Sequence, residues 1–88
     1  MKKILFFQLR FCGYCRSARK ILEELLEENE AYRALDIEHI DEGVERKRAK
    51  AYDYYYVPTF YVDEHKVHEG PVSRDQLEQV LNMALAEE

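Results

Sequence analysis

The chain has 88 residues, of which 47% are hydrophobic and 35% charged, with a formal net charge of −5. That length supports one hydrophobic core and leaves no room for a second, so residues 1–88 are read as a single domain. Seven tyrosines and four phenylalanines argue against disorder, and the acidic balance argues against a nucleic-acid or anionic-membrane partner.

In chain order, Lys3 to Leu9 is rich in β-formers and almost continuously apolar, the pattern of a strand buried on both faces. Its core, Ile4-Leu5-Phe6-Phe7, is far shorter than the ~20 residues of a membrane span. No small-residue cleavage site follows, so the reading is a cytoplasmic protein. From Ala18, the apolar positions Ile21, Leu22, Leu25 and Leu26 recur at helical spacing, with Glu23, Glu24, Glu27 and Glu28 on the other side and Asn29 as a stop. Leu35 to Glu38 alternates like a short strand closed by Ile40. Asp41 then caps a helix over Glu42 to Tyr52, expected to turn Val44, Ala51 and Tyr52 inward.

Pro58 opens a strand over Thr59 to Val62, and Lys66-Val67-His68 reads as its hairpin partner, turning near Asp63-Glu64-His65. Ser73-Arg74-Asp75-Gln76 is a capping box, followed by Leu77, Val80, Leu81, Ala84 and Leu85 at helical spacing. The order is β-α-β-α-β-β-α. The opening strand–helix–strand unit implies a parallel pair and the closing hairpin an antiparallel arm. The expected fold is α/β, a four-stranded mixed sheet with three helices.

The only cysteines are Cys12 and Cys15. A bridge between them closes a tiny loop and stabilises by less than the ~3 kcal/mol expected for a 15-residue loop, so chemistry explains the pair better than stapling does. Cys12 falls where the first helix begins, and unpaired N–H groups there favour a thiolate, the nucleophile of disulfide exchange. Cys15 follows one turn later, Gly13 allows a tight turn into the helix, and Arg10 and Arg16 add positive potential. Two other readings stay open: ordinary buried cysteines, and a tetrahedral Cys₂His₂ metal site completed by His65 and His68.

With Phe11-Cys12-Gly13-Tyr14-Cys15 and Val57-Pro58-Thr59-Phe60 both present, the chain resembles the thioredoxin superfamily, as a small glutaredoxin-like or thioredoxin-like redoxin. The resemblance implies a thioredoxin-like fold, a cis Val57–Pro58 peptide facing the cysteines, and thiol–disulfide oxidoreductase activity with Cys12 attacking and Cys15 resolving. It also implies substrate contacts from Phe11, Gly13, Tyr14, Val57 and Pro58. Expected partners are a disulfide-bearing protein or small thiol, plus thioredoxin reductase or glutathione as reductant. No bound cofactor is expected, glutathione being a co-substrate, and the chain is expected to be a monomer.

The branch is open. Cys-Gly-Tyr-Cys and the short length favour glutaredoxin, while the stretch from His39 to Thr59 looks more like thioredoxin. Glu69-Gly70-Pro71 stands where many glutaredoxins carry Gly-Gly, and Phe6 where thioredoxins carry a buried Asp. The alternative function is a metal or iron–sulfur cluster-binding module using the same cysteines, because some glutaredoxins with a small residue at the Gly13 position bridge a cluster. Tyr52 reads as packing, whereas Tyr55 and Tyr56 lie nearer the implied substrate site. Arg46, Lys47, Arg48 and Lys50 read as a solvated helix face, with an acidic partner as the other option.

Overall fold

Ile4–Gln8 forms β1, buried along its whole length. The structure is a computed structural model describing residues 1–86; Glu87 and Glu88, at the end of the domain span read above, lie outside the described residues. After β1 come α1 (Gly13–Glu28), α2 (Glu30–Arg33), β2 (Ile37–Asp41), α3 (Arg46–Lys50), β3 (Thr59–Val62), β4 (His65–Glu69) and α4 (Arg74–Leu85). The strands form one four-stranded sheet in the order β2-β1-β3-β4. β1 runs parallel to β2, with Phe6 opposite His39, and antiparallel to β3, with Phe7 opposite Thr59. The mixed sheet therefore has the expected topology.

The continuous apolar run of β1 follows from its two covered faces. Ile4 and Phe6 join Ala18, Leu22 and Leu25 of α1 and Leu77, Val80, Leu81 and Ala84 of α4 on one side. Leu5 and Phe7 pack with Ile40, Ala49 and Tyr61 on the other, bordered by Tyr52, Tyr54 and Val57. Side-chain alternation along a strand produces this division. Each fully buried Phe contributes roughly 1.5–3 kcal/mol.

The helices number four where three were expected, and Asn29 is the reason. Its backbone N–H closes α1 on the Leu25 carbonyl, while its side-chain oxygen accepts from the Ala31 N–H at 3.0 Å and starts the single turn of α2. Arg33 then donates back to the carbonyls of Leu26 (2.7 Å) and Glu27 (3.1 Å), satisfying the end of α1.

The helix expected over Glu42 to Tyr52 shortens to Arg46–Lys50. Asp41 stays in β2, and its side chain accepts from the Gly43 N–H at 2.8 Å while its carbonyl accepts from Val44 and Glu45, making a turn in place of the first helical residues. Val44 consequently points outward at 80% exposure, Ala51 is exposed, and Ala49 becomes the buried contact. Tyr52 does turn inward, its ring 5.0 Å from Phe7 and 4.9 Å from Tyr61. The α4 capping box forms in full. In the β3–β4 hairpin, Asp63 and Glu64 take the left-handed backbone of its tight turn (φ 49° and 70°). Among the described residues no helix is long and apolar enough to cross a membrane.

Candidate active site

Cys12 ends the loop after β1 in an extended conformation (φ −90°, ψ 125°) and is the N-cap of α1. Its carbonyl accepts from the Arg16 N–H at 2.9 Å, and its own N–H donates to the Leu9 carbonyl at 3.3 Å. Both cysteines are free thiols in this structure, Cys12 half-buried and Cys15 fully buried. The first helical turn presents its unpaired amides toward the Cys12 sulfur without closing a cap hydrogen bond.

The two thiols are driven apart. Cys12 is held below the ordinary thiol range, first by the Cys15 backbone N–H, then by the Cys15 thiol, the Tyr14 amide and the Arg19 guanidinium, with burial opposing. Burial pushes Cys15 up to about 11, assisted by the neighbouring Cys12, against the Leu9 N–H that donates to its sulfur at 3.4 Å. The arrangement favours the thiolate at Cys12, the less buried of the two, and keeps Cys15 protonated a helical turn away.

Pro58 immediately precedes β3, whose first residue pairs with Phe7 near the end of β1, so Pro58 and the cysteine loop emerge at the same end of the sheet. The Val57–Pro58 peptide is cis. Pro58 is buried, and its carbonyl accepts from the Gly70 N–H at 2.8 Å. No hydrogen bond within the described residues engages the Val57 backbone.

Phe11 and Tyr14 flank Cys12 and stand out from the surface at 84% and 63% exposure. Gly13 is less demanding than expected. A Cβ there would meet nothing within 4 Å and its φ is not left-handed, so the turn into α1 does not require glycine. Gly70, at φ +95°, does.

Three groups absent from the sequence-derived site complete it. Gln8, buried at the end of β1, accepts from Arg19 Nη1 at 2.8 Å and faces His39 Nδ1 at 2.9 Å. Arg19 Nη2 also donates to the Arg10 carbonyl at 3.1 Å, tying α1 to the loop ahead of Cys12. Burial, with the Arg19 charge, holds His39 below the ordinary histidine range although the residue as a whole is exposed. A polar residue closing an apolar strand was the available signal for Gln8. Nothing local marked Arg19 or His39.

Tyr54 and Tyr61 join Tyr52 in packing around Phe7, whereas Tyr55 (86% exposed) and Tyr56 point outward. The amides of Tyr55 and Tyr56 donate to one Glu69 carboxylate oxygen at 2.5 and 2.9 Å. Lys66 first, and then these two amides, hold that carboxyl down at about 2.

The Cys₂His₂ set does not assemble. His65 pairs with Val62 at the end of β3 away from Pro58, and His68 donates to the carbonyls of Gly70 (3.2 Å) and Pro71 (2.9 Å). Among the described residues no three His, Cys, Asp or Glu side chains gather as a metal site. In the basic cluster of α3, Arg48 is occupied by Glu38 of β2.

Solved structures share the fold. The chain is similar to a point-mutant thioredoxin of Halobacterium salinarum NRC-1, at 23% identity and a TM-score of 0.71, covering 98% of this chain and 76% of that one. Oxidised thioredoxin from Plasmodium falciparum aligns at 20% identity with a TM-score of 0.73, over 97% of this chain and 82% of that one. Reduced Schistosoma mansoni thioredoxin pre-protein aligns at 20% identity and 0.71, over 93% and 77%. No curated protein matches the sequence. The model of the thioredoxin domain family matches residues 2–82, and the chain belongs to that family.

Proposed function

We propose that this chain is a thiol–disulfide oxidoreductase working through Cys12 and Cys15. The observation carrying the reading is the pairing of a half-buried Cys12 at the start of α1, its thiolate favoured, with a buried, protonated Cys15 one turn on. The Cys12 thiolate attacks one sulfur of a substrate disulfide. That S–S bond breaks, the departing sulfur leaves as a thiolate and takes a proton from solvent, and a mixed disulfide remains on Cys12.

Cys15 completes the exchange. Part of what keeps it protonated is the neighbouring Cys12, and forming the mixed disulfide removes the Cys12 charge. Cys15 then loses its proton and attacks the Cys12 sulfur. The second substrate thiol departs and the Cys12–Cys15 disulfide remains; two electrons have passed to the substrate. An external thiol reductant returns them, with thioredoxin reductase or glutathione as the two candidates. The thiols carry the electrons, so the proposal involves no resident cofactor.

The unengaged Val57 backbone beside buried Pro58 supports pairing with an extended substrate there. Phe11, Gly13 and Tyr14 border the reacting sulfur. The setting proposed is a monomer in the reducing cytoplasm. In the test, Cys15→Ser is mixed with a peptide disulfide and should accumulate a one-to-one adduct visible by intact mass, while Cys12→Ser should form none. An adduct on Cys12→Ser, or none on Cys15→Ser, would contradict the assigned roles.

A further inference from the structure

Three arginines gather next to the hollow that holds the reactive thiol, in a chain whose net charge is −5. Arg10, Arg16 and Arg19 line a hollow of about 500 Å³ with Gln8, Phe11 and His39. Several cations elsewhere are matched: Lys3 and Arg48 by Glu38, Lys66 by Glu69, and Arg74 by Glu28. Among the described residues none of these three arginines has a carboxylate partner. Arg10 lies 5.3 Å over the Phe11 ring, and Arg19 spends its donors on the neutral Gln8 and Arg10 oxygens, so both charges stay unpaired. Asp41, the one carboxylate on the rim, accepts from the Gly43 N–H and offsets one of the three charges, which leaves the hollow with a cationic excess.

A second hollow, about 400 Å³ and mostly apolar, contains Cys12 and is walled by Leu9 and Val44. The two hollows share Arg10, Phe11 and Asp41, so they adjoin: one is apolar at the sulfur and the other cationic beside it. An extended peptide lying at the sulfur can reach both. We propose that the preferred substrate is a protein disulfide flanked by an apolar residue and then by acidic residues, the acidic stretch lying on Arg10, Arg16 and Arg19. This rests on the exchange reading above and adds the substrate class. The chain's overall negative charge does not cancel the patch at contact, because exposed charges beyond ~8–10 Å are screened at physiological salt.

The test mixes stoichiometric reduced protein with either of two peptide disulfides, identical except that the flanking residues are glutamate in one and glutamine in the other. The second-order rate of peptide reduction is read. The acidic peptide should react at least about threefold faster at ~0.15 M salt, with the ratio falling toward one at ~1 M. The double variant Arg10→Gln/Arg16→Gln should lose the preference; both side chains are exposed, and Arg19 is left to hold the loop. Equal rates, or a preference that survives in the variant, would overturn the substrate class alone. Oxidised glutathione reacting as fast as the acidic peptide would replace the peptide with a small anionic disulfide. Reduction of neither peptide would overturn the exchange reading and the substrate class with it.

Discussion

Cys12 and Cys15 are the same side chain in opposite surroundings, and the difference decides which one reacts. Amides of the first helical turn and the Arg19 charge favour the anion at Cys12, while burial disfavours it at Cys15, which titrates at about 11. A depressed thiol keeps its nucleophile as pH falls, until the folded value is crossed; a raised thiol gains one only as pH rises toward that value. With iodoacetamide at neutral pH, Cys12 alone should be modified. Its rate profile should have a midpoint below the ~8.5 of a free thiol. Peptide mapping checks the site and stopped-time labelling the midpoint, and a midpoint at or above the free-thiol value would contradict this electrostatic account. Phe6 shows how a single position changes neighbouring chemistry. It stacks on Phe60 at 4.4 Å and leaves the polar contacts near the site to Gln8, His39 and Arg19.

At the scale of elements, the segment ahead of Pro58 is held from β4. Glu69 accepts both the Tyr55 and Tyr56 amides, and Gly70 donates to the Pro58 carbonyl. Glu69→Ala should speed hydrogen exchange at those two amides, measured by NMR, while leaving the Phe6 and Phe7 amides protected. In the wild type the folded carboxyl ionises at about 2. An unfolded glutamate protonates near ~4.3, so the contribution of Glu69 is full above that pH and is lost as pH falls toward the folded value.

Local patterns made several elements legible in advance: the double-sided apolar run of β1, the Ser73 capping box, and Pro58 at the head of β3. Where patterning failed, a side chain had two uses. Asn29 both ends α1 and starts α2, and Asp41 closes β2 while bonding a turn that displaces the start of α3. Within the site, the cysteines and the proline were visible as motif letters. Arg19, His39 and Glu69 were not, because their roles depend on which strands and helices the fold places side by side.

At the scale of the molecule, β1 joins everything: both core clusters meet on it, and it leads directly into the cysteine loop. Phe7, fully buried and ringed by Tyr52, Tyr54 and Tyr61, carries the α3 side of the sheet. Phe7→Ala should cost about 3–5 kcal/mol by urea unfolding, and a loss below ~1 kcal/mol would mean that this face is not a true core. The sheet thus provides a rigid base, with the thiols, Pro58 and the arginine surface at one end. The central claim is that the two thiols interconvert with a disulfide as a working couple. Intact mass of the wild type across a series of reduced-to-oxidised glutathione ratios tests it most directly. The account predicts a shift from dithiol to internal disulfide, seen as the loss of two hydrogens, without a lasting glutathione adduct. A chain that stays dithiol at every ratio would contradict it.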